Sequence, residues 1–159
     1  MTNPTTITAE PGTPFIEMTR EFDATPQLLF RAQTEPELVA RWLGPRRHGM
    51  RIDEYDVRVG GQYRYTHIAD DGSEFGFRGV FHTVEPGVLV IQTWEWDGMP
   101  GYATLETARF EDLGGRTRLT TRSVFPTIEG RDMSVQYGMA DGMTESMERL
   151  DEVLGTLGS

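Results

Sequence analysis

The sequence predicts an α+β fold: a curved antiparallel sheet of about seven strands around one long C-terminal helix, with two short helices after the first strand. Three observations carry this. From Gly60 to Val124, short alternating runs are separated by turn signals, and the connections are too short for parallel crossovers. Over about 132–157, the apolar residues Met139, Met143, Met147, Leu150, Leu154 and Leu157 recur at gaps of 4, 4, 3, 4 and 3, which is helical spacing. The strands also carry many rings, and a sheet with one apolar face needs a layer to cover it.

The elements follow in order. Residues 1–14 are Thr/Pro-rich without a period and read as a loose tail, leaving 15–159 as one domain. Phe15–Phe22 alternates, and Ile16, Met18, Arg20 and Phe22 form the more apolar, inward set. Thr25-Pro26 supplies an N-cap and a first-turn proline for a short helix to about Gln33. Thr34-Glu35-Pro36-Glu37 resembles a capping box opening a second short helix that Gly44-Pro45 ends. Strands are expected over 48–57, 62–68, 74–84, 88–96, 102–110 and 116–124. Asp70-Asp71-Gly72, Glu85-Pro86-Gly87 and Asp112-Leu113-Gly114-Gly115 supply tight turns, and 97–101 a longer one. A link over 125–130 leads into the long helix.

Bulk properties narrow the classes. A chain of 159 residues suits one domain, and 37% hydrophobic with 25% charged residues is ordinary for a globular protein. No apolar run approaches a membrane span, and no signal-peptide pattern opens the chain. With no cysteine there are no disulfides, thiolate metal sites or cysteine nucleophiles, which fits a cytoplasmic protein. A net charge of −10 opposes nucleic acid and anionic membranes, and the one basic patch, Arg46-Arg47-His48 with Arg51, is small.

Chemical motifs are sparse. His48, His67 and His82 lack metal-ligand spacing, and Asp53, Glu54 and Asp56 lack an EF-hand frame, so no metal is expected. No nucleophile elbow and no phosphate-binding glycine loop is present, so no cofactor is expected. Arg64, His67, Arg78, His82, Gln92, Glu95, Glu106 and Arg109 are titratable or polar strand residues, and alternation assigns most of them to the outer face. One that pointed inward would acquire a shifted pKa and could move protons.

Several segments together resemble a known family. Asp23-Ala24-Thr25-Pro26 before Leu28-Leu29-Phe30 resembles its approach to the first helix. Leu38-Val39-Ala40-Arg41-Trp42-Leu43-Gly44-Pro45 is similar to its L-x-x-W-W-G-P segment, and Val59-Gly60-Gly61-Gln62-Tyr63-Arg64-Tyr65 to its glycine-pair strand. The hairpins at Asp71-Gly72-Ser73-Glu74-Phe75 and at Phe110-Glu111-Asp112 with Gly115-Arg116-Thr117 complete the likeness, which spans about 15–157. The family is the branch named after the activator of Hsp90 ATPase, within the START and birch-pollen-allergen superfamily. The resemblance implies the helix-grip fold and a ligand cavity, and it supplies no catalytic residue. Leu43 stands where the family often has a second tryptophan. With Arg46-Arg47-His48 following, a more basic mouth with less aromatic surface is implied.

On this frame the expected function is binding of a small hydrophobic or amphipathic molecule between sheet and last helix. The walls are assigned to Trp42, Tyr63, Tyr65, Phe77, Phe81, Trp94, Trp96, Tyr102, Met139, Met143 and Met147. Gly138 and Gly142, in a helix where glycine is unfavourable, suggest that space or close approach is wanted there. The gate is placed at the 44–49 loop and the 97–101 turn. Two other readings are open: a cavity enzyme (cyclase, dehydratase or isomerase on a ring-containing substrate), and an Hsp90-associated interaction protein. The exposed edges of such a sheet also allow a homodimer.

Overall fold

A computed structural model describes residues 3–157. The strands are β1 (Thr6–Thr8), β2 (Phe15–Phe22), β3 (Gly49–Tyr55), β4 (Gln62–Ile68), β5 (Glu74–Glu85), β6 (Leu89–Trp96), β7 (Thr104–Asp112) and β8 (Thr117–Val124). The helices are α1 (Pro26–Thr34), α2 (Pro36–Trp42), α3 (Ile128–Gln136) and α4 (Met139–Leu157). All eight strands form one antiparallel sheet in the order β1-β2-β8-β7-β6-β5-β4-β3, so β1 and β3 are its edges. This is the helix-grip architecture, with α4 as the gripped element. No helix among the described residues is long and apolar enough to cross a membrane.

The alternation in β2 is as expected: Ile16, Met18, Arg20 and Phe22 are all buried. The Thr25 hydroxyl accepts a hydrogen bond from the Leu28 amide at 3.2 Å and caps α1, with Pro26 in the first turn. Leu29 and Ala32 of α1, and Leu38, Val39 and Trp42 of α2, are buried in the same core. The backbone of α4 lies nearest α2, then α1 and α3. Arg149 of α4 donates to the carbonyls of Arg41 (2.9 Å) and Gly44 (2.7 Å), satisfying groups left unpaired at the end of α2.

Four expectations are corrected. The stretch read as a tail contains β1, paired with β2 through Ile7 and Met18. Buried Arg131 of α3 also holds this region, donating to the carbonyls of Glu10 (3.0 Å) and Phe15 (3.1 Å); residues 1 and 2 lie outside the described part. The long helix is two helices. Tyr137 closes α3, and Gly138 follows at φ +87°, a left-handed conformation that ends helices and favours glycine. The capping box does not form. The Thr34 hydroxyl instead donates back to the Phe30 carbonyl at 2.7 Å, and Glu35 takes the N-cap position without a side-chain bond. Finally, β3 is shorter than the 48–57 run, and its pairing with β4 shifts register between Ile52 and Glu54.

Two glycines test the packing in opposite directions. A Cβ on Gly79 would lie 2.0 Å from the Thr93 carbonyl oxygen and 2.5 Å from Cε1 of Tyr63. Gly79→Ala should therefore cost about 1–3 kcal/mol by forcing ring and backbone apart. A Cβ on Gly142 of α4 would meet nothing within 4 Å, so Gly142→Ala should add about 0.5–1 kcal/mol of helix stability. Urea midpoints of the two variants should move in opposite directions.

Candidate functional site

The concave face is set by strand parity. On β4 it carries Tyr63, Tyr65 and His67, and their register partners on β5 are Gly79, Phe77 and Phe75. Trp96 pairs with Phe77 and Gln92 with Phe81, so Trp94 lies between them on the same face. Tyr55 of β3 pairs with Tyr63 and closes the group at one edge.

These rings form a continuous column. Tyr63 stacks on Tyr65 (centroids 6.1 Å apart), Tyr65 on Phe77 (5.2 Å) and Phe77 on Trp94 (5.2 Å). Phe81 lies 5.3 Å from Tyr63, and Tyr55 packs edge-on against both. Their polar tips are satisfied inside the protein. Trp94 Nε1 donates to the Tyr65 hydroxyl at 2.8 Å, Tyr63 donates to the Thr93 carbonyl, and Tyr55 donates to the Gln33 carbonyl at 3.2 Å. Burial raises the pKa of all three phenols above the ordinary tyrosine range.

The structure thus brings together Tyr63, Tyr65, Phe77, Phe81 and Trp94 of the expected wall. Met143 is partly buried against the same core and Met147 is buried within it. Met139, at the first position of α4, is only partly covered. The other three lie apart from the column. Trp42 is buried in the helix layer, donating from Nε1 to the Ala32 carbonyl at 2.9 Å. Trp96, at the end of β6, is 37% exposed. Tyr102 precedes β7, and its hydroxyl is 3.0 Å from that of Thr127.

Three of the polar strand residues face inward, among the minority that alternation left open. His67 follows the parity of Tyr63 and Tyr65, and its ring lies 5.3 Å from those of Tyr65 and Phe77. Gln92 follows Trp94, and Glu106 lies between buried Thr104 and buried Phe110 on β7. Their spacing to these large neighbours is the signal that selects them from the other polar strand residues. Burial lowers the His67 pKa to about 4, and nearby His48 adds to the effect. Its Nδ1 has no hydrogen-bond partner among the described residues. Burial raises the Glu106 pKa, only partly offset by its bonds from the Thr104 and Ser123 hydroxyls. Glu106 nevertheless keeps part of its surface accessible, as does Gln92.

The expected gates are tethered. In the 44–49 loop, the Gly44 amide donates to Ser146 Oγ at 3.0 Å, and Arg46 pairs with Glu152 of α4. In the 97–101 turn, Asp97 pairs with Arg64 and the Gly101 amide donates to Glu95. The basic patch is largely neutralised, since Arg51 also pairs with Asp53 and Glu74. Surface clefts lie at Arg46, Asp141, Thr144, Glu145 and Glu148, of about 390 Å³, and beside Asn3, Thr6 and Arg20, of about 220 Å³. Neither is lined by the aromatic column.

The family model described as "Activator of Hsp90 ATPase homolog 1-like protein" matches residues 23–155. The chain belongs to the activator of Hsp90 ATPase homologue 1-like family. Its fold is similar to that of a Rhodobacter sphaeroides protein, with 30% identity, a TM-score of 0.87, and 97% of this chain and 99% of that one covered. It is also similar to an Arthrobacter aurescens protein, at 25% identity and TM-score 0.88, over 95% of this chain and 91% of that one. A Mycobacterium smegmatis protein shares the fold at 18% identity and TM-score 0.85, with 95% and 97% covered. No curated protein matches the sequence. Among members of this family, binding of hydrophobic ligands is common.

Proposed function

We propose that this member of the activator of Hsp90 ATPase homologue 1-like family binds a small hydrophobic or amphipathic molecule between the concave face of the sheet and α4. The observation that carries the reading is the make-up of that face: a stacked aromatic column with a few polar side chains on the same face, of which Gln92 and Glu106 keep accessible surface. Apolar walls with a small number of placed polar groups are the usual composition of a small-molecule site. Phe77 and Trp94 at one end of the column are incompletely covered, as is Met143 of α4. Covering such surface is worth about 25 cal/mol per Å² removed from water. The binding wall is the column plus Met143 and Met147, with Trp96, Tyr102 and Met139 at its rim and Trp42 behind it as support. The 44–49 loop and the 97–101 turn are the segments whose movement would admit the ligand.

The test is native mass spectrometry of freshly purified protein, followed by titration with the neutral apolar dye Nile red. The expected result is a co-purified small molecule or saturable dye uptake at one per chain, weakened in Trp94→Ala. A protein without any bound molecule that also takes up no dye stoichiometrically would overturn the reading.

A further inference from the structure

We infer that Glu106 is the polar anchor of this interior site, and that the ligand it selects is a hydrophobic molecule bearing a protonated amine. This inference rests on the binding reading above and specifies its ligand class.

The argument starts from register. Gln92 pairs with Glu106 across β6 and β7, and Glu106 with Ser123 across β7 and β8. Three polar side chains therefore stand side by side on the concave face, flanked in the same row by Phe81 and Ile16. Both carboxyl oxygens of Glu106 are engaged by hydroxyls: Thr104 Oγ1 donates to Oε2 at 2.6 Å, and Ser123 Oγ donates to Oε1 at 2.7 Å. These bonds hold the carboxyl in one orientation. They leave acceptor capacity on each oxygen, because an ionised carboxylate offers about four lone-pair sites.

What Glu106 lacks is a counter-ion. No arginine or histidine nitrogen comes within 4.0 Å of it among the described residues, and the chain contains no lysine. The contrast with neighbouring positions is informative. Glu95 on the outer face of β6 pairs with Arg78, and Glu17 on the outer face of β2 pairs with Arg122. Arginine is thus supplied to these carboxylates on the convex side, while the inward-facing Arg20 pairs with Asp151 and none reaches Glu106. Burial and the hydroxyls of Thr104 and Ser123 set the Glu106 pKa, and its own charge helps to raise the pKa of the phenols Tyr63 and Tyr65.

A buried carboxyl without a cation is costly when ionised, and a cation arriving with a ligand relieves that cost. The surroundings favour such a cation, because Glu106 supplies a charge-assisted hydrogen bond. The hydrophobic body of the ligand would lie along the column under Met143 and Met147. A carboxylate on the same body would meet Glu106 as a like charge.

Three probes with one alkyl body separate the possibilities: n-octylamine, n-octanol and octanoate, each competed against Nile red at pH 7.5. The expected order is amine over alcohol by about ten-fold or more, the scale of one charge-assisted bond, with octanoate weakest. In Glu106→Gln, which keeps the shape and can still bond both hydroxyls, the amine should lose its advantage over the alcohol. Glu106→Asp should retain the order of the probes. Equal binding of amine and alcohol by the wild-type protein, or tighter octanoate, would overturn this inference and leave the binding reading standing. Failure of the amine to displace bound Nile red would also overturn this inference, whereas a protein with neither a bound molecule nor stoichiometric dye uptake would overturn both. The wild-type ranking decides the matter even if a variant does not fold.

Discussion

Asp151→Ala is expected to destabilise the protein by about 3–5 kcal/mol, toward the lower end of that range. The Arg20 side chain has no exposed surface, and its Nη2 donates to Asp151 at 3.3 Å. Its Nε and Nη1 have no partner among the described residues, and its guanidinium lies 5.0 Å from the centre of the Phe22 ring. Removing Asp151 leaves a dry cation with only that ring as compensation. The lower end applies because Asp151 is itself 35% exposed, so water replaces part of what it gives. The reverse substitution should be far milder. Arg20→Met keeps most of the volume in the core and releases Asp151 to solvent, so a change within about 1 kcal/mol is expected. The double variant should match Arg20→Met. Urea unfolding at pH 7 measures all three, and an Asp151→Ala cost below that of Arg20→Met would show that the guanidinium is not held dry.

The second large effect is loss of stability in mild acid through His67. Its folded pKa is about 4 against an ordinary 6.5, because burial opposes the charged form, with His48 and Arg149 adding to the effect. Above pH 6.5 the ring is neutral in both folded and unfolded chains and contributes no pH dependence. Between pH 6.5 and 4 the unfolded chain binds the proton first, so stability falls as pH falls. The full shift corresponds to about 3 kcal/mol. Below pH 4 both forms are protonated and this contribution levels off. His67→Phe should flatten the unfolding free energy between pH 6.5 and 4.5 by that amount, after subtraction from wild type. The surface carboxylates whose pKa is lowered by arginine, such as Glu21 with Arg116, act in a lower window, at and below pH 4.5, and are common to both proteins. Identical slopes for wild type and His67→Phe would refute the assignment.

Local periodicity made much of the fold readable. The inward set of β2, the capped start of α1, the hairpin succession and the α4 stripe are all signals with a period of 2 or 3.6, and they need no knowledge of distant residues. Within the stripe, Met147, Leu150 and Leu154 are buried as expected, while Ser146 and Val153 widen it. β1 escaped because three residues are too few to show alternation, and its place depends on the neighbouring strand and on Arg131. The break before α4 was signalled by Gly138, but a glycine one residue ahead of a strong stripe also reads as part of that stripe.

The candidate site divides in the same way. The aromatics that form the column were recognisable because large rings at alternate positions share a face. Trp42, Trp96 and Tyr102 are equally aromatic, yet they sit in other surroundings that only the paths of α2 and of the 97–101 turn reveal. His67, Gln92 and Glu106 share the parity of buried neighbours on their own strands, and only the pairing of the strands shows that they are the polar residues that face inward.

By itself, the order of residues determined most of the elements, with β1 and the break between α3 and α4 as exceptions, and which side chains share a strand face, since these follow from backbone geometry within a few residues. Tertiary structure alone decided that Arg20 meets Asp151, that Arg149 closes the end of α2, and that Glu106 stands on the concave face without a cation. Those outcomes depend on pairings between segments far apart in the chain. Such pairings are selected by the joint packing of sheet and helices, and no local pattern encodes them.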